Sequence, residues 1–157
     1  MKIFAHGSTI FHGQDPASSL HTALTTSCAD AAEIDVRRSL QGTLFCHDSA
    51  EIQGVKIAEA GDDELKQRGA LDIHSVMELA KGVDTPLLLD IKPGDPGMPK
   101  TILECARDHG MADSRLIIGV RNLEQAENAQ AHGGKAGILG FLERNQLPEY
   151  VEIVGQG

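Results

Sequence analysis

Short apolar runs alternate with helix-like stretches along the whole chain. Runs of strand character cover 2–6, 32–37, 43–47, 86–92, 115–120, 135–141 and 150–154. Stretches of helical character cover 17–28, 62–68, 74–82, 99–109 and 122–132, with a short turn near 143–148. Punctuation residues agree with these boundaries. Pro16 suits the first turn of a helix, and Asn122 is a natural N-cap with acidic Glu124 in the turn that follows. Gly82, Gly110 and Gly133 stand where helices should stop. The run 43–47 follows 32–37 across the turn-like stretch Arg38 to Gly42, so the two form either a hairpin or a strand with an extension. The other strands are joined through helices, which requires a parallel sheet with right-handed crossovers. Uninterrupted runs such as Leu87-Leu88-Leu89 fit strands covered on both faces. The polar stretch 49–61 reads as a surface connection.

Four of these strands end in side chains that a core rejects: His6, the pair Glu33 and Asp35, His47, and the pair Asp90 and Lys92. An unpaired buried charge costs several kcal/mol or more, so their gathering at strand C-termini points to one shared polar site. Sites in α/β sheets and barrels are built at that edge. Glu33 and Asp35 are two residues apart and therefore face one side of their strand. Such a carboxylate pair suits a hard divalent ion, and a solvated edge strand shows the same pattern. Asp90 and Lys92 share a face inside an apolar strand, where a buried ion pair is the plain alternative. A lone histidine at a strand end is commonly structural. Two together can divide proton removal and proton donation, because imidazole titrates near neutral pH.

Composition adjusts this picture only slightly. At 157 residues, the chain fits one domain over 1–157, since domains commonly run about 100–200 residues. A hydrophobic fraction of 41% with 3% aromatics implies a real but mainly aliphatic core. The net charge of -9, from 14 basic and 23 acidic residues, argues against a nucleic-acid partner. Cys28, Cys46 and Cys105 form no paired motif and read as small buried hydrophobes of a reducing compartment. No leader and no apolar run of the roughly 20 residues that cross a bilayer is evident, so a cytoplasmic protein without a membrane segment is expected. His12, His21, His74, His109 and His132 lack a strand-end setting and read as surface residues. Arg121, at the end of 115–120, reads either as a phosphate or headgroup contact or as a salt bridge at a helix start.

The order and spacing of these pieces resemble the glycerophosphodiester phosphodiesterase family of TIM-barrel enzymes. The resemblance rests on the strand-terminal His6, on Ala29 to Val36, on Gly42 to Asp48, on Leu71 to Glu78 and on Leu89 to Lys92. It implies a (β/α)8-type barrel and hydrolysis of a glycerophosphodiester to a glycerol phosphate and an alcohol. It further implies Mg2+ or Ca2+ held by Glu33, Asp35 and Asp90, His6 and His47 as general acid and base, and Lys92 on the substrate phosphate.

The chain departs from the family in four ways. Gly7-Ser8-Thr9 stands where an Arg-Gly usually follows the first histidine, and Asp15-Pro16-Ala17-Ser18 stands at the place of a Pro-Glu-Asn-Thr motif. Asp90 replaces what is mostly a Glu. A full barrel takes about 200–250 residues, so about six βα units are expected here, with the C-terminal strands missing and a free edge that a homo-oligomer would cover. Three readings stay open: a glycerophosphodiesterase, a non-catalytic binding or interaction domain on the same scaffold, and a sphingomyelinase D-like lipid phosphodiesterase or lyase.

Overall fold

Strands pair where apolar runs meet, and their register sets what faces the interior. The computed structural model describes residues 3–7, 15–26, 28–92 and 95–155. Parallel strands β1 (Phe4–Ala5), β2 (Ala31–Arg38), β7 (Leu87–Ile91), β8 (Leu116–Val120) and β9 (Gly137–Gly140) lie side by side in that order. Helices α1 (Pro16–Thr26), α3 (Ile73–Ala80), α4 (Met98–Asp108), α5 (Leu123–His132) and α6 (Leu147–Val154) accompany them. The C-terminal half of β2 also pairs antiparallel with β3 (Leu44–Cys46), which pairs in turn with the two-residue β6 (Leu71–Asp72). The hairpin alternative for 43–47 is therefore the one adopted.

One face of each parallel strand meets the helices. Ile34, Val36, Leu87, Leu89, Ile91, Leu116, Ile118 and Val120 form the main core with Leu20, Val76, Met77, Ile102 and Leu103. The other set of alternating positions turns inward, as in a barrel. Among the described residues β1 pairs only with β2 and β9 only with β8, so the barrel is open.

Two sequence expectations are revised. Residues 150–154 belong to α6, not to a strand. Pro148 sits in the first turn of this helix, and Tyr150 packs back on β9 by donating its hydroxyl to the Ile138 carbonyl at 2.9 Å. The stretch 49–61 is also more than a surface connection. It carries the hairpin β4 (Glu51–Ile52) and β5 (Val55–Lys56), and Ile52, Ile57 and Ala60 bury against Phe45, Leu65 of α2 (Asp62–Gln67) and Ala70 in a second, smaller core. Cys46 and Cys105 are buried as expected, whereas Cys28 is exposed, and all three are free thiols. Among the described residues no helix is long and apolar enough to cross a membrane.

The N-terminus of α3 is fixed by Asp72, whose carboxylate accepts from the Ser75 N–H and hydroxyl, both at 2.8 Å, and pairs with Lys66 at 3.0 Å. Burial works to raise its pKa, but the Ser75 hydrogen bonds and Lys66 outweigh it and hold the carboxyl below its ordinary value. A depressed carboxyl contributes stability above its unfolded pKa and loses it as pH falls through the folded one. Asp72→Ala is therefore expected to cost about 1 kcal/mol at neutral pH, a difference that fades in urea denaturation curves as pH falls below the ordinary Asp range.

Candidate active site

The inward-facing positions carry the polar groups. Glu33, Asp35 and Arg37 alternate along β2, Leu88, Asp90 and Lys92 along β7 and its end, Gly119 and Arg121 along β8 and its end, and Leu139 and Phe141 along β9 and its end. The parallel register sets Asp35 beside Asp90 and Asp90 beside Gly119. A cavity of about 360 Å³ opens here, lined by Phe4, His6, Glu33, Leu88, Asp90, Lys92, Arg121, Leu139 and Phe141.

Glu33, Asp35 and Asp90 are only 4%, 5% and 3% exposed, and one oxygen from each lies within 4.8 Å of the others. Cations surround them. Lys92 Nζ donates to Asp90 Oδ2 at 2.7 Å and lies 2.7 Å from Asp35 Oδ1. Arg121 donates from Nε to Asp90 Oδ1 at 3.1 Å, and from Nη2 to Oδ2. Its guanidinium carbon sits 4.5 Å from the centroid of Phe141. Arg37 Nη2 stands 3.9 Å from Asp35 Oδ2 while the same side chain donates to the His47 and Asp48 carbonyls.

These contacts explain the titration of the cluster. Burial pushes Glu33 above its ordinary pKa. The Gly7 N–H, donating to Oε2 at 2.8 Å, opposes that shift, and the neighbouring Asp35 adds to it. Burial would lower Lys92, but hydrogen bonds to Asp35 and Asp90 outweigh it and raise the ammonium.

A hard divalent cation fits this set of residues. The donors are all carboxylate oxygens, and among the described residues the buried Asp35 Oδ1 has only the Lys92 ammonium, 2.7 Å away, as a partner. A cation there would also offset the burial cost carried by Glu33.

Of the six residues singled out in the sequence, five meet in one cluster. His6 stands at the rim, with Nε2 3.9 Å from Glu33 Oε2 and a side chain 77% exposed. His47 lies a step away. Its backbone N–H donates to the Asp35 carbonyl at 3.0 Å, while its Nδ1 sits 3.2 Å from the Ser49 N–H and 3.0 Å from the Ser49 carbonyl. Ser8 and Thr9, beside His6, lie outside the described residues, as does His12.

Arg37 went unnoticed in the sequence, although the period-two continuation Glu33-Asp35-Arg37 marks it. Arg121 proves to be bound to Asp90 rather than to the start of α5, which Asn122 caps by accepting from the Gln125 N–H at 2.8 Å. Gly119 allows Asp90 and Phe141 to approach each other closely. A Cβ there would lie 3.0 Å from both Asp90 Cα and Phe141 Cε2. Gly119→Ala is expected to displace Phe141 and tilt the Asp90–Arg121 pair, a loss of about 1–3 kcal/mol visible as a lower thermal midpoint.

The sequence matches no family model and no curated protein. Solved structures do match. A glycerophosphodiester phosphodiesterase from Parabacteroides distasonis superposes with a TM-score of 0.75 at 19% identity, over 99% of this chain and 75% of that one. One from Thermotoga maritima gives 0.65 at 19% identity, over 89% and 62%. A phosphodiesterase of Oleispira antarctica in complex with the product sn-glycerol-3-phosphate gives 0.69 at 17% identity, over 98% and 72%. The chain thus spans between about three fifths and three quarters of these proteins. The fold is that of the glycerophosphodiester phosphodiesterases, a TIM barrel present here in incomplete form.

Proposed function

We propose that this chain, built on the glycerophosphodiester phosphodiesterase fold, is a divalent-cation-dependent phosphodiesterase. It would convert a glycerophosphodiester to a glycerol phosphate and an alcohol. One observation carries the reading: three buried carboxylates converge on the inward faces of the adjacent parallel strands β2 and β7, just below the edge where His6, Lys92 and Arg121 follow the C-terminal ends of β1, β7 and β8. That edge is where barrel enzymes assemble their chemistry. The fold shared with a phosphodiesterase that binds sn-glycerol-3-phosphate supports the same substrate class.

In this reading Glu33, Asp35 and Asp90 hold Mg2+ or Ca2+. The ion, when bound, supplies positive charge against the phosphoryl oxygens. Lys92 exchanges part of its carboxylate contact for a phosphate oxygen and orients the diester. His47, whose Nδ1 is held beside the Ser49 backbone, removes the proton of the attacking hydroxyl or water through Nε2. His6, whose imidazolium has Glu33 as a counter-charge, donates a proton to the departing alkoxide oxygen. A base and an acid acting on opposite sides of the phosphorus leave no net proton change on the pair.

A second reading has an observation of its own. Three carboxylates face Lys92, Arg121 and, farther off, Arg37, so the cluster is close to neutral without an added ion. That balance would suit a non-catalytic binding domain. Assay of glycerophosphocholine and sphingomyelin with Mg2+ or Ca2+, with and without chelator, separates the readings. Cation-dependent release of glycerol phosphate supports the first, and turnover of sphingomyelin alone moves the substrate to a lipid phosphodiester. No turnover of either substrate with either ion leaves the binding domain.

A further inference from the structure

Two helices of the outer layer bring together a cluster that the proposed reaction does not use. On α3, His74 and Glu78 are four residues apart and share a face. At the end of α4, Cys105 and His109 repeat the same spacing. Packed side by side, the helices set His74 Nδ1 3.2 Å from His109 Nε2 and 3.4 Å from Cys105 Sγ. His109 Nδ1 lies 3.2 Å from Glu78 Oε2. The sequence placed His74 and His109 as separate surface residues and Cys105 as a small core residue; the structure joins the three.

We propose that His74, Cys105 and His109 form a second metal site, for Zn2+ or a similarly borderline-soft divalent ion, that clamps α3 to α4. The donor set is two imidazole nitrogens and one thiolate, which suits zinc far better than Mg2+ or Ca2+. The spacing agrees with tetrahedral ligation. With Zn–N near 2.0 Å and Zn–S near 2.3 Å, neighbouring ligand atoms lie about 3.3 Å and about 3.5 Å apart. The separations here are 3.2 Å and 3.4 Å, and the third pair also falls within 4.8 Å.

Hydrogen bonding alone is a poor account of the arrangement. A ring nitrogen has either one proton or one lone pair, yet His74 Nδ1 faces a second nitrogen and a sulfur at once. A single ion between them satisfies all three. Glu78 supplies the carboxylate that metal-bound histidines commonly engage through the far ring nitrogen, which leaves His109 Nε2 free to ligate. Cys105 is buried and His74 exposed, so the fourth position opens to solvent and would take water.

The site stands apart from the carboxylate cluster, and its test is independent of any phosphodiesterase activity. The metal-free protein is titrated with Co2+ in excess Mg2+, which occupies the carboxylates, and absorbance is followed for thiolate-to-cobalt charge transfer. Wild type should show this band at one ion per chain, and Zn2+ should displace it and raise the thermal midpoint. Cys105→Ser and the double variant His74→Gln/His109→Gln should both abolish the band, while Cys28→Ser keeps it. The histidine pair provides this arm if the buried serine impairs folding. Glu78→Gln should keep the band and weaken binding about tenfold. A folded wild type without the band overturns the proposal, as does a band that survives the double histidine variant.

Discussion

Asp90→Ala should lower the thermal midpoint more than any other single change in the candidate site. Asp90 is almost fully buried and accepts from both Lys92 and Arg121. Without it, Lys92 keeps its contact with Asp35 and Arg121 its contact with the ring of Phe141, but both lose their shared carboxylate. Breaking a buried ion pair by removing one partner costs about 3–5 kcal/mol. Arg121 is a third exposed, which places the expected loss near the lower figure. For a chain of this size about 3 kcal/mol corresponds to roughly 6–12 °C in thermal midpoint. Differential scanning calorimetry without divalent ions would measure it. Asp90→Asn should cost less, since the amide oxygen still accepts one hydrogen bond. If the alanine variant melted with wild type, the ion pairs around Asp90 would have no net structural role.

His6→Ala has the opposite signature, a large loss of rate with little loss of stability. The imidazole is mostly exposed and contacts Glu33 only at 3.9 Å, so little packing depends on it. General acid–base groups typically contribute about 10²–10⁴-fold to rate, and kcat for glycerophosphocholine should fall by that order at saturating cation. The midpoint and the cation affinity should stay at wild-type values. A small effect on kcat would remove His6 from the reaction and leave the proton to another donor.

Much of the site was legible in the sequence because strands obey a strict period of two. That period alone put Glu33 with Asp35 and Asp90 with Lys92, and the expense of burying charge implied that they meet. Helix starts were legible for a similarly local reason. Pro16 opens α1, and Asn122 caps α5 through a side-chain contact three residues on. The run Tyr150 to Val154 misled, because a short apolar segment has no periodicity that separates a buried strand from a helix. Its packing on β9 decided the matter.

What only the tertiary structure decided are contacts between side chains far apart in sequence. Arg121 turns inward because β8 lies beside β7 with Gly119 next to Asp90, which leaves room for the guanidinium between a carboxylate and the Phe141 ring. His74 and Cys105 are 31 residues apart and meet only because α3 and α4 pack on the same side of the sheet. Local chemistry states which side chains are costly to bury, whereas pairing register and helix packing determine which of them share the burial.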